Sequence, residues 1–166
     1  EHMNSTMNRH IITVEDPIEY NFKDRNCIFE QREVGIDCES FQAALKYALR
    51  QDPDVIIVGE MRDETSIESA IHAADTGHMV ISTLHTANAG QSINRLLDTF
   101  PPEGREALRK SLATNVAAII CQRLIPRASG RGMIPCNEVM INTAFIKKLI
   151  MDDKIDQIQG AIAKGA

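Results

Sequence analysis

The sequence holds no tryptophan and two tyrosines, and aromatic residues make up 4% of it. That leaves little with which to stack nucleic-acid bases. Positive charge is not in excess either: 18 Lys and Arg stand against 23 Asp and Glu, for a formal charge of −5. Neither a polybasic membrane anchor nor a nucleic-acid face is supported. No apolar run approaches the roughly 20 residues that span a bilayer, and no signal-peptide pattern is present. The four cysteines, Cys27, Cys38, Cys121 and Cys136, never form C-x-x-C. Such spacing favours reduced thiols, some buried as small hydrophobes, over a disulfide framework or a zinc cage. Also missing is any G-x-x-x-x-G-K-[ST], the glycine loop that cradles nucleotide phosphates.

What is present is about one domain's worth of chain, 166 residues, enough to bury a core. A β-branched run over 10–14 predicts a strand that stops at Glu15-Asp16-Pro17, because Pro17 has no N–H for a ladder. A second short strand is expected over 27–30. Ser40 then caps a helix whose apolar residues, Phe41, Ala44, Leu45, Ala48 and Leu49, follow helical spacing. Asp52-Pro53-Asp54 ends it and leads into the aliphatic strand Val55–Val58. A helix from Glu64 or Thr65 to a stop at Gly77 precedes a strand over 79–84. Helices follow over 88–97 and, after Pro101-Pro102, over 103–118. Strands over 119–125 and 133–140 flank Ala128-Ser129-Gly130-Arg131-Gly132 as a hairpin. Two short helices are expected around Asp152-Asp153. Strands alternating with helices indicate a mostly parallel α/β sheet, then a hairpin and a small helical appendage.

Polar groups gather where the apolar runs stop, and parallel sheets bind ligands at the carboxyl ends of adjacent strands. TVEDPIEY places Glu15, Asp16 and Glu19 around a proline turn. They suit a general base or a carboxylate holding a metal-bound water; the plainer reading is turn chemistry. Glu60 closes Val55–Val58, and Gly59 before it lets a phosphate or another backbone come close. Arg62 is expected to pair with Asp63 or Glu64, with ligand contact as the alternative. TGHMVISTLHTANAG sets Ser82, Thr83, His85, Thr86 and Asn88 at a strand's end before a helix N-terminus, a setting that suits phosphate. His78 opens that strand, either as part of the site or as a strand-edge imidazole satisfied by backbone. His78 and His85 are seven apart in a strand, on opposite faces, which does not suit a shared metal.

Together these segments are more specific than any one. TVEDPIEY resembles the Asp box, DPDVIIVGEMRD an atypical Walker B and TGHMVISTLHTANA the His box of the type II/IV secretion and type IV pilus ATPase superfamily. FEQREV and RLLDTFPPE are also similar to that family, so the resemblance runs from about residue 10 to the C-terminus. Extension and type II secretion members commonly carry a tetracysteine module where this chain has a short hairpin, 125–135. The chain is therefore most similar to the pilus-retraction branch. Its FIKKLI keeps the amphipathic frame of that branch's C-terminal helix, A-I-R-N-L-I, but not its Ala, Arg and Asn.

The resemblance implies a RecA-like fold, with residues 1–141 as part of the ATPase core and 142–166 as a helical tail. It implies a homohexamer that hydrolyses ATP with Mg²⁺, cytoplasmic and peripheral at the inner membrane, working against a pilus platform protein. By motif position, Glu19 activates the attacking water, with Glu15 the alternative. Glu60 holds Mg²⁺ through water, His85 senses the γ-phosphate and His78 supports the site. Thr83 and Arg62 lie beside the nucleotide, and Arg32 in QREV is a charge-stabilising arginine. The family's phosphate loop is expected some twenty residues before residue 10. Residues 1–7 are then the tail of the helix after it, and the 166 residues alone are expected to be inactive. A sheet edge left exposed is expected too. The alternatives are an extension or type II secretion ATPase, a non-catalytic ring subunit, or a nucleic-acid motor on the same fold.

Overall fold

The computed structural model describes residues 1–165 and divides the chain into two compact units, Glu1–Leu84 and His85–Ala166. The expected division at 141/142 falls inside the second of them.

The first unit contains a short helix α1 (His2–Thr6), strands β1 (His10–Glu15) and β2 (Ile28–Glu33), helix α2 (Phe41–Ala48), strand β3 (Val55–Val58), helix α3 (Glu64–Asp75) and strand β4 (Met79–Ser82). The strands form one parallel sheet in the order β2-β1-β3-β4. Parallel strands need crossover connections, and α2 and α3 supply two of them. Both faces of such a sheet must be covered, which explains its near-continuous aliphatic strands. Successive side chains point to opposite faces. Ile56 and Val58 accordingly join Leu45 and Ala73 in one core, while Val55 joins Ile11 and Cys27 in the other, with Met3 of α1 and Ile57 packed against it.

Helices α2 and α3 start where short polar side chains take up free N–H groups. Ser40 accepts the Ala43 N–H at 3.1 Å. Asp63 and Ser66 form a reciprocal capping box for α3. At the amino ends of the central strands, Asp54 accepts from the His10 N–H at 2.8 Å and from Arg9 at 2.6 Å. These two contacts, the first above all, hold its carboxyl below the ordinary carboxylate range. Strand β2 runs further than expected, because its register with β1 continues to Glu15↔Glu33 and hydrogen bonding outlasts the apolar pattern. Strand β4 stops earlier than expected: Val58↔Ser82 is its last pairing, and β3 ends there. At this end of the sheet order, Met79 and Ile81 are exposed.

The second unit holds helices α4 (Ala89–Asp98) and α5 (Pro102–Asn115), strands β5 (Ala118–Pro126) and β6 (Met133–Ile141), and helices α6 (Ala144–Met151) and α7 (Ile158–Ala163), with a 3-10 turn at Ile155–Gln157. Helix α5 begins one residue before the expected start, since Pro102 fits the first helical position, where no N–H is needed. It ends three residues early because Ala118 belongs to β5 and pairs with Ile141. Asn142 donates to the Ala113 and Val116 carbonyls at 3.0 and 2.7 Å, which fixes that helix end. The hairpin buries Cys121 and Met140 on one face and leaves Ile120, Leu124, Val139 and Ile141 exposed on the other. No helix among the described residues is long and apolar enough to cross a membrane.

Candidate functional site

In the first unit, the carboxyl ends of β1, β3 and β4 collect the polar groups. Glu15, the last residue of β1, accepts from the Thr13 hydroxyl at 2.6 Å and from Gln31 Nε2 at 3.1 Å. Thr13 is buried, so its hydroxyl needs such an acceptor. Gln31 and Glu33 of β2 also hold the turn after β1. Gln31 binds the Tyr20 carbonyl and the Phe22 N–H, and Glu33 accepts the Ile18 N–H at 3.0 Å. Glu19 rides on this pinned turn with its side chain exposed.

At the end of β3, Gly59 is a glycine because another backbone passes close. A Cβ there would lie 3.2 Å from the Val14 carbonyl oxygen and 3.3 Å from Glu15 Cα. Of the two reasons expected for a glycine at this position, backbone approach is the one the structure displays. The Gly59 N–H donates to Val14 O at 2.8 Å, and its carbonyl accepts the Thr83 hydroxyl at 2.6 Å. One residue thus ties the ends of three strands together.

Arg62 does not pair with Asp63 or Glu64. Its Nε stands 2.7 Å from Glu60 and its Nη1 3.3 Å from Asp16, while Asp63 is occupied in capping α3. Asp63 already commits a carboxylate oxygen to the Ser66 N–H, which leaves it less able to serve a guanidinium. Beside Glu60, the exposed guanidinium is held above its ordinary pKa. Asp16, Glu60 and Arg62 therefore bracket the same rim as Glu15 and Thr83. Ser82 Oγ, at the end of β4, is buried and has no hydrogen-bond partner among the described residues.

Two expected members stand elsewhere. His78 precedes β4, at the amino-terminal end of the sheet; its Nδ1 lies 3.1 Å from both the Thr76 hydroxyl and the Ala73 carbonyl. It finishes the C-terminus of α3, which is the backbone-satisfied alternative. Arg32 bonds Glu30 at 3.1 Å and also Gln51, which follows α2 and precedes β3. Neither is drawn to the rim that carries Glu15 and Glu60.

His85 opens the second unit, exposed in the segment leading to α4. The helix N-terminus after it is already filled from within. Asn88 accepts the Gln91 N–H at 2.9 Å and the Glu138 carboxylate accepts the Ala89 N–H at 2.8 Å. The Thr86 hydroxyl is 2.6 Å from Ser92 Oγ. This helix N-terminus, which the sequence pattern suits to phosphate, has an internal carboxylate against its partial positive charge. Glu138 carries no sequence signal for this role, since 49 residues separate it from Ala89. Gln31 lies in the family-like FEQREV, yet its hold on Glu15 is visible only in three dimensions.

The rim of the first unit suits a hydrated divalent cation, a hard ion that prefers carboxylate and hydroxyl oxygens. Glu60 and Thr83 supply such oxygens, and the unpartnered Ser82 hydroxyl is a further one. Among the described residues no cluster of three or more His, Cys, Asp or Glu could hold a metal by itself. The rim therefore offers single oxygens that could hold such an ion, and it does not make an all-protein cage.

A family model for type II/IV secretion system proteins matches residues 1–162. The chain is 44% identical over 165 residues to the type IV pilus retraction ATPase PilT of Pseudomonas aeruginosa, covering 99% of this chain and 48% of that protein. It is 47% identical over 120 residues to the type IV pilus assembly ATPase PilB of the same organism, covering 72% and 20%. A crystal structure described as the pilus retraction motor PilT with bound ADP superposes with a TM-score of 0.90 at 46% identity, over 97% of this chain and 47% of that one. The chain spans about half the length of the retraction ATPases it matches.

Proposed function

This chain belongs to the type II/IV secretion system protein family, and on that footing we propose that it is part of an ATP-hydrolysing motor that retracts type IV pili. The observation that carries the reading is the reach of the likeness: nearly the whole chain aligns with a retraction ATPase, against about three quarters with an assembly ATPase. The whole protein is a homohexamer at the cytoplasmic side of the inner membrane, working against the pilus platform protein. It uses ATP and Mg²⁺.

The site residues take separate tasks in this proposal. Glu19, exposed on a turn that Gln31 and Glu33 hold in place, is the carboxylate that activates the attacking water. Glu15 is the alternative base, and its bonds from Thr13 and Gln31 favour a supporting task. Glu60 would hold Mg²⁺ through water, and Thr83 fixes the Gly59 carbonyl beside it. Arg62, paired with Glu60 and Asp16, would offset part of the rim's negative charge where no ion is bound. His85 responds to the γ-phosphate. Magnesium and the phosphates supply charge for phosphoryl transfer, which depends on positioning and electrostatics. These 166 residues carry no glycine loop with its lysine, so by themselves they neither bind ATP tightly nor turn it over.

Complementation with the full-length protein tests the reading. Glu19→Gln and Glu60→Gln should form rings yet fail to retract pili. Normal retraction by both would sink the site assignment. Loss of surface pili in the deletion strain, rather than their accumulation, would mark an extension motor instead.

A further inference from the structure

The segment that follows His85 is gripped by two charged residues of the hairpin. Arg123 of β5 donates from Nε and Nη2 to the Ala87 carbonyl, at 3.2 and 2.9 Å. Glu138 of β6 accepts the Ala89 N–H at 2.8 Å on one oxygen and Gln159 Nε2 of α7 at 2.5 Å on the other. Between the two grips, Asn88 caps α4. The backbone here is thus held at an acceptor, the Ala87 carbonyl, and at a donor, the Ala89 N–H, starting two residues after the imidazole. Cross-strand pairing explains why both grips come from one side. Arg123 pairs with Cys136 and Glu138 with Cys121, so all four side chains share the ribbon face that lines a cleft of about 620 Å³.

We infer that Glu138 and Arg123 are positioning residues for His85, and that Gln159 makes the C-terminal helix α7 part of the same clamp. The inference rests on the proposed role of His85 toward nucleotide. The bonds are charge-assisted, the strong class for holding a backbone in one place. Two of them act on adjoining peptide groups from strands that are themselves paired, so the loop cannot shift along one bond without straining the other. Catalytic side chains gain when their own supports are locked, and small misplacements cost disproportionately. A carboxylate already seated on the Ala89 N–H also turns α4's N-terminus from a phosphate binder into an anchor for the loop.

Two readouts test this. In the full-length protein, Glu138→Ala should lower kcat for ATP about tenfold while KM moves less than about twofold, the pattern of a displaced catalytic side chain. Glu138→Gln keeps an oxygen for the Ala89 N–H and should recover most of that loss. Added to His85→Ala, Glu138→Ala should cost nothing more. A raised KM at unchanged kcat, no recovery by Gln, or full additivity with His85→Ala would each overturn the inference. The second readout needs no turnover: in the 166-residue chain, the Cε1–H resonance of His85 should move in Glu138→Ala and in the milder Gln159→Ala, and return toward its place in Glu138→Gln. An unmoved resonance in both overturns the clamp. If the wild-type protein hydrolyses no ATP, the nucleotide reading fails by itself and the resonance alone decides the clamp.

Discussion

Arg62 Nε lies 2.7 Å from Glu60 Oε2, and the same guanidinium reaches Asp16 on the other side. The carboxylate proposed to serve magnesium is therefore bound to a cation of its own chain. On that proposal, ion and guanidinium would compete for Glu60. Arg62→Ala in the full-length protein should lower the Mg²⁺ concentration needed for half-maximal ATP turnover, several-fold at low salt and less at high salt, where exposed charges are screened. Glu60→Gln should raise it. A magnesium titration at two ionic strengths measures both, and an unchanged midpoint in Arg62→Ala counts against the competition.

Gly59→Ala should be costly out of proportion to one methyl group. The new Cβ meets backbone atoms at 3.2 and 3.3 Å, and backbone cannot swing aside. We expect about 1–3 kcal/mol of destabilisation, the usual range for overpacking, seen as a lower urea midpoint with unchanged slope. The ends of β1 and β3 would part, so the full-length variant should also lose activity. A midpoint equal to wild type would mean that the strands relax freely.

Asp54 makes a pH prediction whose sign follows from its partners. The His10 N–H, and Arg9 after it, hold its folded pKa below the unfolded value of about 3.9. A carboxyl depressed on folding stabilises fully above the unfolded pKa, and that share is lost as pH falls through the folded value. Asp54→Asn should therefore be less stable than wild type at pH 6, and the gap should close below about pH 4. Urea midpoints across that interval check it; a constant gap would exclude linkage through Asp54.

The caps of α2 and α3 should differ in weight. Ser40→Ala removes one side-chain acceptor and should cost about 1 kcal/mol. Asp63→Ala should cost more, because it dissolves the reciprocal box with buried Ser66. Thermal midpoints of the two variants give the comparison, and equal losses would show that the box adds nothing to a simple cap.

Thiol labelling should rank the cysteines by exposure. Cys136 is exposed and should react first, while Cys27 and Cys121 are buried and should wait for unfolding. Cys38 should lag behind Cys136, since burial, helped by Asp37, pushes its thiol pKa up and less thiolate is present. Mass spectrometry of timed maleimide reactions would show the order, and a fast Cys121 would contradict the packing of the hairpin on its own unit.

Much of the fold was legible because its signals are local. The aliphatic run Val55–Val58 ends where polar residues begin, Ser40 announces a helix, and Pro101-Pro102 separates two. Strand β2 was legible only in part, because Glu30, Gln31, Arg32 and Glu33 are too polar to betray a strand that pairing with β1 sustains. In the candidate site, position along the chain pointed to Glu15, Glu60 and Thr83, which the structure brings to one rim. It also pointed to His78 and Arg32, which serve a helix end and a different set of partners.

The amino-acid sequence by itself determined the alternation of strands and helices and the family resemblance, because period, caps and prolines act over a few residues. Only the tertiary structure decided which charges meet. Arg62 took Glu60 and Asp16 over its neighbour Asp63, and Glu138 crossed 49 residues to reach the Ala89 N–H. Ion pairs and hydrogen bonds fall off within a few ångströms, so they depend on distances in space that chain spacing does not encode.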